Sequence, residues 1–263
     1  MKVIANNLMF RNKRFVTAAR GGDVAAMAAM AMEVRKAGAD YINLNLSLDG
    51  DGDERYFEAV VEAAQGTNLP LVIDSRNPRA HEAAIMAAKV PLTLSYVSME
   101  EDRRAAMDDI LCLAAAHKTD VILYAMWKGT PYDFTSRLEI INDLLEKADK
   151  AGVSMDKIII DPVIVHLGGG IGQEHSTAVR ETLYELKELV EPPVRTTIWL
   201  SNISAGAPKE LRPAINDTFL AMLAGLGLWS ACLDVLNRET MRTVRLIRAI
   251  NNETVYSIMD AAA

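Results

Sequence analysis

Residues 157–162 read Lys-Ile-Ile-Ile-Asp-Pro, a short aliphatic run closed by one carboxylate. Residues 71–75 (Leu-Val-Ile-Asp-Ser) repeat the form, and residues 200–204 (Leu-Ser-Asn-Ile-Ser) are a looser version ending on a carboxamide. Apolar runs of this length, bounded by turn-forming residues, have the form of buried strands. If they are strands of one barrel, Asp74, Asp161 and Asn202 emerge together at one rim. Two carboxylates and a carboxamide at an apolar mouth suit a flat heterocycle rich in N–H donors, because carboxylates accept several charge-assisted hydrogen bonds.

Working outward, strand-like runs fall at 2–5, 41–45, 70–74, 91–95, 120–126, 157–161, 195–200 and 228–233. Helical patterns lie between them at about 23–37, 54–65, 77–88, 100–117, 134–151, 176–190, 209–225 and 237–250. Asp23, Ser98, Thr135, Ser176 and Asn237 stand where helix N-caps are expected. Gly38, Gly152 and Gly225 stand where helices end and a left-handed residue is useful. Eight βα units predict an α/β fold, a (β/α)8 TIM barrel formed by residues 1–263 as a single domain, with chemistry at the carboxyl ends of the strands. An open doubly wound sheet is the structural alternative.

Composition bounds the function. The chain has 263 residues, 50% of them hydrophobic and 6% aromatic, and a formal charge of −7. That charge, with no long basic run, argues against nucleic acid or an anionic membrane as partner. No stretch is apolar enough to span a bilayer, and residues 1–20 lack a signal-peptide core, so a cytoplasmic location is expected. The two cysteines, Cys112 and Cys232, lie far apart in apolar stretches and read as buried thiols in a reducing compartment.

The strand ends carry the candidate site. Asn43 and Asn45 close the second strand, Asp74 the third, Ser95 the fourth and Asp161 the sixth, and Asn202 follows the seventh. Any one of them alone reads as a cap or turn former; their common phase in the repeat reads as a site. A reduced pterin, with its 2-amino group and ring N–H donors along one edge, matches the acceptors. Asn can donate and accept, and so can contact a nitrogen whose bonding changes in a reaction.

Other features have bland readings. The glycine-rich run 168–172 lacks the Lys-Ser/Thr ending of a phosphate-binding loop and reads as a rim loop that closes over a ligand or partner. His166 and His175 do not form a zinc pattern, and no bound metal is expected. Trp127 reads as a ring stacking on a planar ligand, a partner contact or a packed rim aromatic. Trp199 and Trp229 lie in strand patterns and read as core. The run 100–104 (Glu-Glu-Asp-Arg-Arg) reads as a solvated helix start with acids well placed for the dipole.

Taken in order, Asn-Leu-Asn (43–45), Leu-Val-Ile-Asp-Ser (71–75), Ile-Ile-Ile-Asp-Pro (158–162), Leu-Ser-Asn-Ile-Ser (200–204), the run beginning Arg-Pro-Ala-Ile-Asn at 212 and Asn-Asn-Glu-Thr-Val-Tyr (251–256) resemble the pterin-binding methyltransferase family. Within it the chain is most similar to the methyltetrahydrofolate:corrinoid protein methyltransferases. The resemblance implies a TIM barrel, generally homodimeric, that takes tetrahydrofolate or methyltetrahydrofolate as substrate and meets a separate corrinoid protein carrying the cobalt. It implies that Asp74 and Asp161 hold the pterin edge, that Asn202 contacts N5 and is the catalytic residue, and that Asn45 is a further contact. Ser95 stands where the family has Asn, residues 5–9 replace a segment that often carries Glu, and Trp199 stands where a small residue is expected. The expected activity is methyl transfer from the methylated corrinoid protein to N5 of tetrahydrofolate, as in anaerobic O-demethylation or related methylotrophy. A dihydropteroate synthase-like enzyme and a non-catalytic folate-binding or docking subunit are the alternatives.

Overall fold

The computed structural model describes residues 1–46, 54–189 and 193–255. Eight parallel strands run in order around one sheet: β1 (Lys2–Met9), β2 (Tyr41–Asn45), β3 (Leu71–Ile73), β4 (Leu92–Val97), β5 (Asp120–Tyr124), β6 (Ile158–Asp161), β7 (Arg195–Thr196) and β8 (Ser230–Leu233). β1 pairs with both β2 and β8. The ring closes where Trp199 bridges Cys232, whose N–H donates to the Ile198 carbonyl at 2.7 Å. The expected TIM barrel is therefore the fold, and the open sheet is excluded by that closure.

Nine α-helices surround the barrel among the described residues: α1 (Lys13–Gly21), α2 (Val24–Lys36), α3 (Glu54–Gln65), α4 (Pro78–Ala87), α5 (Glu101–His117), α6 (Phe134–Lys150), α7 (Gly172–Leu189), α8 (Arg212–Gly225) and α9 (Arg238–Ile250). None of them is long and apolar enough to cross a membrane.

Strand parity builds the core and aims the site. In a strand, alternate side chains face opposite sides. Ile42, Leu44, Leu71, Ile73, Val121, Leu123, Ile158 and Ile160 pack outward against the helices in one apolar cluster. Val72, Ile122, Tyr124, Ile159 and Cys232 belong to a separate cluster with Ile4, inside the barrel. Two residues on from Val72 and Ile159, the same parity carries Asp74 and Asp161, and in β2 it carries Asn43 and Asn45. Each aliphatic side chain in this arrangement is almost wholly removed from water, worth about 1.5–3 kcal/mol apiece.

Several local expectations are corrected. The sequence reading has no helix at 13–21, yet α1 forms there: Asn12 accepts from the Arg14 and Phe15 N–H groups, and Phe15, Ala18 and Ala19 are buried. The caps of α5 and α6 are Glu100 and Asp133 rather than Ser98 and Thr135. α7 begins at Gly172, four residues before Ser176, so the glycine-rich run is a tight turn leading straight into a helix. A Cβ at Gly172 would stand 2.4 Å from the His166 carbonyl oxygen, which requires glycine there. The left-handed residue after α8 is Gly227, while Gly225 remains helical. β7 is only two residues long, and Leu200–Asn202 form a 3-10 turn instead of extending it. Cys232 is buried as expected; Cys112 is exposed on α5, because its position on the helix faces away from the sheet. Residue 256 of the terminal motif and residues 190–192 lie outside the described residues.

Candidate functional site

A cavity of about 380 Å³ opens at the carboxyl-terminal end of the barrel. Asn45, Asp74, Asp161 and Asn202 all line it, together with Asn6, Tyr96, Arg103, Tyr124, Trp199 and Ser201. Four of the six strand-end residues thus converge, and Asn43 is buried against one of them, Asp74. Ser95 lies behind the wall: it is fully buried, and its Oγ is 2.7 Å from the Tyr124 hydroxyl. A position expected at the cavity surface instead hydrogen-bonds the ring that lines it.

Asp74 leaves β3 with its N–H on the Leu44 carbonyl at 3.0 Å. Its Oδ2 accepts from Asn45 Nδ2 at 2.7 Å and from Asn43 Nδ2 at 3.4 Å. Asn43 also donates to Asn6 at 3.1 Å, which ties the first strand into the same network. Burial raises the Asp74 pKa above the usual carboxylate value, and the two carboxamides and the Arg103 charge offset part of the rise. The Oδ1 atoms of Asn43 and Asn45 are buried without a partner among the described residues. A buried acceptor left unmade is costly, about 1–3 kcal/mol, so the Asn45 carboxamide is poised to accept from a ligand.

Asp161 closes β6. Its Oδ1 accepts from the Val163 N–H at 2.7 Å. Burial pushes its pKa up to about 7, against the Val163 hydrogen bond and the nearby Arg103 and Arg137 charges. Val163 has φ +57°, uncommon for a β-branched residue. The loop that holds it there is clamped by Arg137, a fully buried side chain on α6 that donates to the carbonyls of Pro162 (2.6 Å) and Pro131 (2.7 Å). Backbone held in a sparsely populated region by surrounding contacts is a mark of functional sites. Tyr96, on β4, is a second instance at φ +77°, next to the register shift between Leu94 and Val97 in the β4–β5 pairing.

Several lining groups escape the sequence reading, among them Tyr124, Trp199 and Arg103. Tyr124 follows Ile122 at inward parity, and that alternation would have found it; its hydroxyl pKa is raised by burial and by Asp74 and Asp161. Trp199, expected in the core, instead flanks the cavity with its ring centroid 5.3 Å from that of Tyr124. It does so because β7 ends early and the chain turns at residue 200. Arg103, expected in a solvated helix start, lies 3.9 Å over the Tyr96 ring and 5.2 Å from the Tyr124 centroid. Trp127 is nearly half exposed and outside this cavity. Trp229 packs edge-on against Tyr41 near the opposite end of the barrel. His175 is buried against Arg137 and is not among the residues that line this cavity.

The arrangement offers buried acceptors, two guanidinium side chains (Arg11 and Arg103) and aromatic walls, a set whose chemistry suits a planar polar ring. A methylcorrinoid:tetrahydrofolate methyltransferase of Eubacterium limosum is 27% identical over 213 residues, covering 80% of this chain and 76% of that protein. A methionine synthase of Mycobacterium tuberculosis is 25% identical over 174 residues, 64% of this chain but only 14% of that longer protein. Among solved structures, the dihydropteroate synthase of Stenotrophomonas maltophilia superposes with a TM-score of 0.68 at 18% identity, covering 97% of this chain and 94% of its own, which shows the shared barrel. The family model described as pterin binding enzyme matches residues 11–234, from before α1 to just past β8, and the chain therefore belongs to the pterin binding enzyme family.

Proposed function

We propose that this protein, as a single 263-residue domain, moves a methyl group between the cobalt of a separate corrinoid protein and N5 of tetrahydrofolate. The observation that carries the reading is the pairing of Asp74 and Asp161 as buried acceptors across one cavity, with Asn202 at its mouth. In this reading Asp74, Asp161 and the free Asn45 Oδ1 take the N–H donors of the pterin, Ser95 holds Tyr124 against the ring, and the exposed Asn202 reaches N5.

The chemistry needs orientation more than a protein nucleophile. In the direction of methyltetrahydrofolate formation, the N5 lone pair attacks the methyl carbon, the cobalt–carbon bond breaks and its electron pair stays on cobalt as Co(I). N5 then sheds its proton. In reverse, Co(I) displaces N5, which leaves as an amine once it has gained a proton or a hydrogen bond. Asn202 can serve either direction by donating to or accepting from N5 as its bonding changes, which is transition-state stabilisation by a placed dipole. We place the cellular direction toward methyltetrahydrofolate, in anaerobic O-demethylation or related methylotrophy, with the protein a cytoplasmic homodimer that docks its corrinoid partner at the barrel mouth. The relatedness to a methylcorrinoid:tetrahydrofolate methyltransferase supports the reaction class.

Calorimetric titration with tetrahydrofolate and N5-methyltetrahydrofolate tests the pocket, and methylcobalamin then serves as surrogate donor. Micromolar binding with methyl transfer is expected. Binding without transfer to or from any corrinoid would support the folate-binding subunit instead. Condensation of a pterin pyrophosphate with aminobenzoate would establish the synthase alternative.

A further inference from the structure

Arg103 sits in the first turn of α5, where the helix dipole disfavours a cation. Its guanidinium nevertheless lies over Tyr96, 3.9 Å from the ring centroid, and Arg103 lines the same cavity as the two carboxylates. Its charge is felt by both Asp74 and Asp161, yet neither lies within ion-pair distance of it. Its Nη1 is buried and makes no hydrogen bond among the described residues. A half-buried cation held over aromatic rings beside a cavity, with one donor unspent, is arranged for a ligand acceptor rather than for a fold contact.

The ligand has one to offer. Resting on the pterin reading above, Asp74 and Asp161 supply acceptors for the ring donors, while the 4-oxo oxygen is an acceptor adjacent to the N3–H. A donor beside the carboxylates is what that oxygen requires. We infer that Arg103 is a further binding residue that donates to the 4-oxo oxygen of the pterin, and that it selects oxo- over amino-pterins at that position. An amino group there would set donor against donor, and a mismatch of that kind discriminates strongly because it strands polar groups.

The test pairs a protein change with a ligand change. Tetrahydrofolate and tetrahydroaminopterin, in which an amino group replaces the 4-oxo oxygen, are titrated into the native protein, Arg103→Gln and Arg103→Lys. Arg103→Gln should weaken tetrahydrofolate by about tenfold or more, the scale of one charge-assisted hydrogen bond. Its affinity for tetrahydroaminopterin should be unchanged or improved. Arg103→Lys keeps the charge but not the flat fork on Tyr96, and should fall between. Equal losses for both ligands in Arg103→Gln would overturn the inference and make Arg103 a general electrostatic contributor. Tight binding of tetrahydrofolate by the native protein with no change in either variant would overturn it too, while leaving the pterin reading intact. A native protein that binds neither ligand would remove the pterin reading and this inference with it.

Discussion

The two ends of the barrel treat their acids in opposite ways. At the amino-terminal end, Asp120 opens β5 and is paired to Arg195 at 2.8 Å and Lys157 at 3.7 Å. Asp40, just before β2, accepts from the Val3 N–H at 2.7 Å and is paired with Arg248. At the carboxyl-terminal end, Asp74 and Asp161 are more deeply buried and have no cation within ion-pair distance among the described residues. Each end has a cavity of similar size, about 360 Å³ beside Asp120 and about 380 Å³ beside Asp161, so volume does not distinguish them. What distinguishes them is unspent hydrogen-bonding capacity. One end satisfies its charges internally; the other leaves acceptors raised in pKa by desolvation and waiting for a partner.

The sharpest way to break this contrast is to remove the waiting acids. Asp74→Ala and Asp161→Ala should each abolish measurable folate binding in calorimetry, a loss of at least about a hundredfold for a buried charged partner. Both should keep a cooperative thermal transition. Unchanged affinity in both would end the pterin assignment.

A subtler change should raise stability while it weakens function. Asp161 has a folded-state pKa of about 7 against 3.8 for the free side chain, so the fold favours its acid form. Its contribution to stability is complete below about pH 4 and is lost as pH rises through 7. Asp161→Asn keeps the shape and the acceptor for Val163 but removes the titration. At pH 8 the unliganded variant should be more stable than the native protein, by about 2 kcal/mol within a ceiling of ~4 set by the shift. At pH 4 the two should match. Denaturant titration at both pH values reads this directly, and equal stability at pH 8 would show that the burial of Asp161 carries no cost.

Asn202 bears on the same contrast from the solvent side. It is exposed on the 3-10 turn after β7 and adds little to the fold. Asn202→Ala should lower kcat about tenfold or more with a smaller change in folate affinity, the mark of a contact strongest in the transition state. A variant losing affinity and retaining kcat would make Asn202 a binding residue only.

The legibility of this site follows the same physics. Asp74 and Asp161 could be read from the chain because an aliphatic strand ending on a carboxylate is a local signal, and parity then fixes which way it points. Asn45 and Tyr124 share that parity. Arg103 could not be read, since the run 100–104 looks like any charged helix start. Its placement depends on Tyr96 adopting φ +77° and offering its ring, and nothing local announces that backbone state. Ser95 was legible as inward and polar but not as second in line behind Tyr124, because which of two stacked groups reaches the cavity is set by side-chain length across neighbouring strands. The missed α1 has the same origin: nine residues with three buried positions are too few for periodicity to show, and its local signs are only the Asn12 cap and the left-handed Gly22 that ends it.

The smallest expected effect lies at the amino-terminal end and bounds the comparison from the other side. Asp120 is about one-fifth exposed, as is Arg195 roughly, and its pairs sit in partly solvated surroundings. Asp120→Asn should therefore destabilise the protein by only about 1 kcal/mol, the upper range for such pairs, with the effect shrinking in high salt. Arg195 retains its hydrogen bond to the Asp156 carbonyl at 2.6 Å, so the guanidinium is not stranded. Folate affinity and kcat should be unchanged, because nothing in this network reaches the opposite mouth except through the packed strands β5, β6 and β7. A loss of affinity comparable to that of Asp74→Ala would mean that the two ends are coupled through those strands, and that charge satisfaction at one end helps hold the unsatisfied acceptors at the other.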